Sequence, residues 1–216
     1  MKPELPYLFI GSSQESRDQK IVTHFSNCLQ GDAHCVPWWL APQFSNSGSS
    51  TTFAALCEAA NSYDFALFIL TPDDFIKSRE VESRCPRDNV TFEFGLFIGA
   101  IGPDRVFASQ QKIAGNFKAI SDLAGVTMPR FEYEPGSVEK TIATVNAACA
   151  GFSQCIAKGG FRKIDLPLAD EWWFDENTRS FTVKLSAVKI TRNRSVIGKW
   201  RLCLAARICD EFVNFE

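Results

Sequence analysis

The sequence predicts an α/β protein: an open parallel sheet of about five strands with helices on both faces, followed by a small β-rich C-terminal appendage. Short apolar runs typical of buried strands alternate with longer segments whose apolar residues recur at helical spacing. The run at residues 64–71 is apolar on both faces, as strands in the middle of a parallel sheet are. After residue 160 the pattern changes to alternating apolar and polar residues, which is typical of half-buried strands.

Turn-forming residues divide the first part of the chain into strands and helices. The predicted elements are a strand at 6–11, a helix at 15–30, a strand at 33–40, a helix at 52–60 and a strand at 64–71. The first helix has Ile21, Phe25 and Leu29 on one face, and Gly31 ends it. The second helix is rich in alanine and follows a Gly/Ser-rich loop at 42–50.

The strand at 33–40 ends in Trp38 and Trp39. Adjacent residues of a strand face opposite sides, so at most one of these two rings would line a site. A ring there could stack on a base, although such aromatic residues more often belong to the core.

The alternation continues to about residue 157. The predicted elements are a long charged loop at 72–88, a helix at 89–101, strands at 105–108 and 126–133, and a helix at 137–157. The helix at 89–101 is almost entirely apolar and is predicted to be mostly buried, and Gly102 and Pro103 end it. The charged loop is longer than most connections, and such loops are often lids or binding loops.

This pattern divides the chain into two predicted domains. Residues 1–157 form the α/β domain, and residues 158–216 form a small β-rich segment of unassigned role. Residues 191–195 are predicted as a turn between two strands of that segment. A two-stranded unit is marginal alone, so the segment is expected to pack against something else.

Composition limits the classes of function. The net charge is −2, from 23 basic and 25 acidic residues, so no basic excess indicates binding to nucleic acid or to an anionic membrane. No apolar run approaches the roughly 20 residues of a membrane span, and the N-terminus lacks a signal core. We therefore expect a cytoplasmic protein. The eight cysteines include no C-x-x-C pair, and with two histidines they indicate reduced thiols and no metal site.

Topology predicts where a ligand would bind. In open parallel sheets, ligands bind outside the carboxyl ends of the strands, where residues 11–13, the loop after the second strand and residues 71–74 would meet. The candidate binding residues there are Gly11, Ser12, Ser13, Trp39, Thr71, Asp73 and Asp74. The Gly-Ser-Ser turn is no P-loop, and taken alone it is better explained as an ordinary capped turn. Asp73 and Asp74 are also compatible with an ordinary turn.

Glu93 is the unusual residue of the helix at 89–101. Its neighbours are almost all apolar, and a buried carboxylate costs free energy unless it is paired or used. Asn89 lies four residues earlier and would share its helical face. From the pattern alone, the simpler interpretation is that the two residues form the solvated stripe of the helix.

Three segments taken in order resemble one known family. They are residues 9–13 (FIGSS), 64–74 (DFALFILTPDD) and 86–99 (PRDNVTFEFGLFIG), and residues 121–126 (SDLAGV) are similar to a later segment. The segments resemble the TIR-like domain of bacterial predicted nucleotide-binding proteins. The same domain is the effector of TIR–STING fusions and of some cyclic-nucleotide anti-phage systems. The resemblance covers about residues 5–135 and implies a flavodoxin-like fold.

The resemblance also implies an activity, the hydrolysis of NAD+ to nicotinamide and an ADP-ribose product, linear or cyclic, with no further cofactor. The catalytic glutamate of such domains lies on the helix after the third strand, a position that matches Glu93. In many TIR enzymes an aromatic residue lies four positions earlier, where this chain has Asn89. Ser49, Arg87 and Asn89 join the expected substrate-binding residues.

The resemblance further implies how activity is controlled. The loop at 41–50 corresponds to the loop that meets a neighbouring subunit in active TIR assemblies, so we expect self-association. Activation linked to a cyclic nucleotide through a sensor region is the expected trigger.

Two other functions stay open. A TIR-type scaffold that acts by self-association alone would not need a buried Glu93. A nucleoside deoxyribosyltransferase-like enzyme would share the flavodoxin-like fold and use a glutamate as nucleophile. Cleavage of NAD+ and base exchange on deoxynucleosides distinguish these functions.

Overall fold

The chain forms two compact units, Met1–Lys163 and Ile164–Glu216. The computed structural model describes residues 5–45, 52–78, 80–118, 128–162, 171–175 and 180–184. The first unit holds the sheet and its helices. In the second unit, the described residues form one antiparallel pair of strands. The predicted turn at 191–195 lies outside the described residues.

The first unit is built on a five-stranded parallel sheet, as predicted. The described strands are β1 (Tyr7–Ser12), β2 (His34–Pro37), β3 (Phe65–Leu70), β4 (Asp74–Ser78), β5 (Val81–Cys85), β6 (Val106–Gln111), β7 (Arg130–Phe131), β8 (Glu171–Asp175) and β9 (Ser180–Lys184). The sheet order is β2-β1-β3-β6-β7, and every neighbouring pair is parallel. The register of β1 and β3 pairs Ser12 with Ile69, so the two strands end side by side.

Helices cover both faces of the sheet. They are α1 (Gln14–Asp18), α2 (Ile21–Leu29), α3 (Pro42–Ser45), α4 (Thr52–Ser62), α5 (Asp88–Ile101) and α6 (Val138–Gly159). One hydrophobic cluster joins α2 and α6 to the sheet, and a second joins α4 and α5 to the opposite face. Side chains alternate between the clusters along each central strand: Leu8 and Ile10 of β1 enter the first cluster, and Phe9 enters the second.

The predicted loop at 72–88 is wrong, because β4 and β5 form an antiparallel hairpin there. The sequence did not indicate strands because the hairpin has no clear apolar face turned to a core. Phe75 is 67% exposed and Val81 is 51% exposed. The guanidinium of Arg84 lies 3.5 Å from the ring centroid of Phe75 and covers part of that ring.

Other predicted elements also need correction. The loop predicted at 42–50 begins with a short helix, α3 (Pro42–Ser45). The helix at 15–30 is two helices, separated at Lys20, whose φ of 61° breaks the helical path. The strand predicted at 126–133 is confined to Arg130–Phe131 among the described residues, which exclude 119–127. The helix at 89–101 is buried on one face rather than throughout: Phe94 and Phe97 are buried, whereas Phe92 is 56% exposed.

The second strand also ends earlier than predicted, at Pro37, and the two tryptophans lie in a 3-10 turn, Trp38–Leu40. Their ring centroids are 5.8 Å apart and the rings are perpendicular. Trp38 packs against the cluster of α4 and α5, and Trp39 packs against the cluster of α2 and α6. A turn therefore places the two rings on opposite faces, as a strand would have done.

Candidate active site

Four polar side chains meet where β1 and β3 end. Ser13 caps α1, with its Oγ accepting a hydrogen bond from the backbone N–H of Ser16 at 3.2 Å. The hydroxyl of Thr71 lies 2.7 Å from the Oγ of Ser16 and 3.2 Å from that of Ser13, and it donates to Asp73 Oδ2 at 2.5 Å. A hydroxyl carries one proton, so Thr71, which donates to Asp73, accepts its hydrogen bond from Ser16.

The structure therefore brings the segments 11–13 and 71–74 together. Ser13, Ser16 and Thr71 are buried, each at most 4% exposed, so their hydroxyls are held by one another rather than by bulk water. Ser16 was not selected from the sequence. Its position three residues after a helix cap is a local signal, but its contact with Thr71 depends on the pairing of β1 with β3.

Gly11 and Ser12 end β1 beneath these hydroxyls. A Cβ atom on Gly11 would lie 2.3 Å from the ring of Phe68, so a side chain there would displace a buried aromatic ring. Ser12 is buried, and its hydroxyl donates to the backbone oxygen of Ser13 at 3.1 Å. Packing of β3 against β1 thus explains the glycine without any ligand.

Arg87 brings α5 to the same edge of the sheet. It is the N-cap residue of α5, and its Nη2 forms an ion pair with Oε1 of Glu15 in the first turn of α1. The pKa of Arg87 is raised, first by this hydrogen bond and charge and then by Asp74, the first residue of β4, and by Asp73. Glu15 was not among the residues predicted from the sequence, although an acidic residue in the first turn of a helix after the Gly-Ser-Ser turn is a recognisable feature.

Glu93 lies in α5, on the flank of the buried stripe that contains Val90 and Phe97. Its carboxyl group is half-buried, and desolvation raises its pKa to about 7. No hydrogen bond or ion pair reaches this carboxyl group from the residues that the structure describes. On the same side of the sheet, the ring of Phe53 in α4 lies 6.2 Å from that of Phe92, so α4 stands beside this helix.

Among the other predicted site residues that the structure describes, Asn89 and Trp39 make no hydrogen bond to Ser13 or Thr71. Asn89 is exposed in the first turn of α5, and its backbone N–H donates to Asp88 Oδ1 at 2.7 Å. Trp39 is partly buried, and the guanidinium of Arg17 lies 5.1 Å from its ring centroid. Ser49 lies outside the described residues.

A separate cavity of about 260 Å³ lies at the ends of β6 and β7. Its lining residues are Gln110, Lys112, Ile113, Gly115, Asn116, Phe117 and Arg130. None of the residues predicted from the sequence as site residues is among them. Across the described part of the chain, no three His, Cys, Asp or Glu side chains are grouped as a metal site would require, and no helix there combines the length and apolarity of a membrane span.

The fold and the polar edge define a class of protein: a flavodoxin-like α/β domain with a half-buried glutamate on the helix that follows its third parallel strand. Residues 7–133 match the family model described as "CAP12/Pycsar effector protein, TIR domain". The match covers more than half of the chain, which therefore belongs to this family. The resemblance inferred from the three sequence segments is confirmed.

Curated relatives with assigned names agree with this membership. The chain is 33% identical over 141 residues to CD-NTase-associated protein 12 of Sphingobacterium faecium. The aligned region covers 64% of this chain and 41% of the relative. It is 36% identical over 107 residues to the Pycsar effector protein PaPycTIR of Pseudomonas aeruginosa, covering 50% of this chain and 34% of the relative. The chain thus spans about two fifths or less of the length of these relatives.

Proposed function

We propose that this TIR domain hydrolyses NAD+ at the bond between ribose and nicotinamide, in the cytoplasm, with Glu93 as the catalytic residue. The observation that carries the proposal is the half-buried carboxyl group of Glu93, which has no partner within the described residues and a raised pKa. Burying an unpaired carboxylate costs free energy of folding, and a purely structural helix does not require it. Membership of an effector TIR family supports an enzymatic use of this residue.

The proposed reaction suits a lone carboxylate. When the bond between the ribose C1′ and the pyridinium nitrogen breaks, the bonding electrons leave with nicotinamide, which becomes neutral and needs no proton. Positive charge develops on the ribose, and the carboxylate of Glu93 stabilises it. Water then adds to C1′ and releases a proton, so that the products are nicotinamide, ADP-ribose and H⁺. The apolar surroundings strengthen the attraction between the carboxylate and the developing charge.

The polar edge offers groups that could bind the rest of the substrate. Asp73 and Asp74 provide carboxylate oxygens for ribose hydroxyls. The hydroxyl of Thr71 holds Asp73 in place, and the hydroxyl of Ser13 in turn contacts that of Thr71. Arg87 provides a guanidinium for a phosphate. No cofactor besides the substrate is needed for this chemistry.

We also propose that activity depends on assembly and serves anti-phage defence. The relatives are named for association with a CD-NTase or as Pycsar effectors. These names support a trigger linked to a cyclic nucleotide and relayed through a sensor region. Self-association of the TIR domain would then complete the site.

The test is nicotinamide release by the 216-residue chain and by its Glu93→Gln variant at high chain concentration, followed by chromatography of the nucleotides. We expect the variant to lose at least about 100-fold in turnover, because the amide cannot balance the charge on the ribose. Glu139→Gln, a matched change in the first turn of α6, is expected to keep the activity of the parent.

A stability measurement separates loss of chemistry from loss of fold. Above about pH 7 the parent holds an ionised, desolvated Glu93, which lowers its stability. The free energy of unfolding of Glu93→Gln is therefore expected to equal or exceed that of the parent in this pH range. Equal nicotinamide release by parent and variant would show that Glu93 has another role. Base exchange on deoxynucleosides without NAD+ cleavage would instead support the transferase, and self-association without any turnover would support the scaffold.

A further inference from the structure

We propose that Glu15 is a positioning residue: it holds the guanidinium of Arg87 so that Arg87 binds a phosphate of the substrate. The inference rests on the proposed function in that the substrate carries a diphosphate. The ion pair between Glu15 Oε1 and Arg87 Nη2 joins residues 72 positions apart in the sequence. It ties α1, which follows β1, to α5, which carries Glu93.

The charges around Arg87 explain why its orientation matters. Glu15, Asp73 and Asp74 all act on its guanidinium, and all three are acidic. A diphosphate that approaches this edge is repelled by these carboxylates unless a cation faces it. Arg87 is 44% exposed, and Glu15 takes up one arm of a guanidinium that has five N–H donors. The remaining donors can bind a phosphate without breaking the pair.

Glu15 is itself held in place. One carboxylate oxygen contacts Arg87, and the other, Oε2, is buried. The pKa of Glu15 is lowered by its own backbone N–H, then by Arg87 and, to a smaller extent, by Ser13, so the carboxylate stays ionised at neutral pH. A flexible arginine loses side-chain entropy when it binds a phosphate. A fixed anion beside it restricts its conformers before binding and so reduces that loss.

Glu15 also repels the phosphate, which opposes this effect. Both side chains are partly exposed, at 44% for Arg87 and 39% for Glu15, so solvent and salt screen part of the repulsion. The hydrogen bond from Nη2 of Arg87 to Oε1 of Glu15 acts at direct contact, where salt screens it less than it screens repulsion across a longer distance. We therefore expect removal of Glu15 to weaken rather than strengthen phosphate binding.

The experiment measures binding to the full chain carrying Glu93→Gln, so that no substrate is consumed. Calorimetry would compare NAD+, inorganic pyrophosphate and nicotinamide riboside, which lacks phosphate. We expect Glu15→Ala to raise the Kd for NAD+ and for pyrophosphate about tenfold, the loss typical of a charged hydrogen bond. Binding of nicotinamide riboside should not change. Glu15→Gln, which can still accept from Arg87, should fall between the parent and the Ala variant.

A double-mutant cycle tests whether Glu15 acts through Arg87. In the Arg87→Ala background, Glu15→Ala is expected to cause no further loss. Glu132→Gln serves as the control, because it also weakens exposed ion pairs, to Lys112 and Lys140, on another part of the unit. It should leave all three affinities unchanged.

Several outcomes would overturn the inference. The inference would be wrong if Glu15→Ala bound pyrophosphate as tightly as the parent or more tightly, or if it lost as much affinity for nicotinamide riboside. It would also be wrong if the losses of affinity in the cycle were additive, or if the parent chain did not bind pyrophosphate. Failure of the proposed function looks different. If the chain with Glu93 intact self-associates but releases no nicotinamide, while the binding cycle behaves as expected, the hydrolase is rejected and the role of Glu15 in binding a diphosphate stands.

Discussion

At the scale of single residues, the structure changes the interpretation of Glu93. The sequence shows a glutamate among apolar neighbours, which is compatible with a solvated stripe. The structure places it on the flank of the buried stripe rather than opposite to it, where its carboxyl group loses water without gaining a partner within the described residues. Desolvation alone then raises the pKa to about 7.

The raised pKa predicts how the proposed activity depends on pH. The ionised carboxylate is the form that stabilises a positive ribose, and protonation of Glu93 in the free protein sets in below about pH 7. We expect kcat/KM for nicotinamide release to rise with pH through about 7 and to level off above it. Initial rates at low NAD+ concentration over the range of about pH 5 to 9 would measure this.

The Glu93→Gln variant provides the control for this profile, because its residual rate should not change near pH 7. A plateau in the parent that extends down to about pH 5 would mean that Glu93 ionises at the value usual for glutamate. The carboxylate would then have a stabilising partner at the site, contrary to the desolvation that the structure indicates.

At the scale of elements, Arg105 fixes the end of α6. It follows α5 in a 3-10 turn, Pro103–Arg105, and its guanidinium donates to the backbone oxygens of Gly159 at 2.9 Å and Gly160 at 3.0 Å. It also donates to the backbone oxygen of Asp64 at 3.3 Å and lies 4.8 Å from the ring centroid of Phe65. One side chain thus ties the carboxyl end of α6 to the amino end of β3.

We predict that Arg105→Ala lowers the free energy of unfolding by about 2–4 kcal/mol, because several backbone oxygens lose a charged donor. Arg105→Lys should lose less stability, because an ammonium keeps the charge. It should still lose some, because an ammonium cannot donate along two arms. Urea denaturation followed by circular dichroism would measure both. The exposed Arg130 in β7 offers the control: Arg130→Ala should change stability by no more than about 0.5 kcal/mol. Equal losses at both positions would show that Arg105 does not stabilise the end of α6.

At the scale of the whole molecule, the family match and the relatives bear on assembly. The matched residues, 7–133, fall within the unit Met1–Lys163, and the chain corresponds to about two fifths or less of the named relatives. The proposed function therefore includes a trigger relayed through a sensor region and a neighbouring subunit that completes the site. Measurements on the chain in solution test the role of the neighbouring subunit.

Self-association predicts that the turnover per chain rises with chain concentration. When subunits complete each other's sites, dilution separates them and the activity per chain falls. Nicotinamide release measured over a wide range of chain concentration, beside sedimentation at the same concentrations, would test this. A constant turnover per chain in a purely monomeric sample would show that one subunit suffices.

Much of the fold could be predicted from the sequence, because the strands of the parallel sheet and the helices that cover it carry their own patterns of apolar residues. The continuous apolar run of β3 and the helical spacing in α2 and α6 indicated both faces of the sheet. The hairpin of β4 and β5 was missed because exposed strands such as Val81–Cys85 lack an apolar face, which is the signal that the periodicity depends on.

The sequence by itself determined the chain order of the strands of the parallel sheet and of the helices that cover it, the edge of the sheet at which polar residues collect, and the family. These follow from local patterns of burial and from short motifs. The tertiary structure alone decided that Thr71 bonds to Ser16, that Arg87 pairs with Glu15, and that Glu93 is desolvated. Each of these depends on groups from distant parts of the chain meeting through strand register and helix packing, and no local pattern specifies which groups meet.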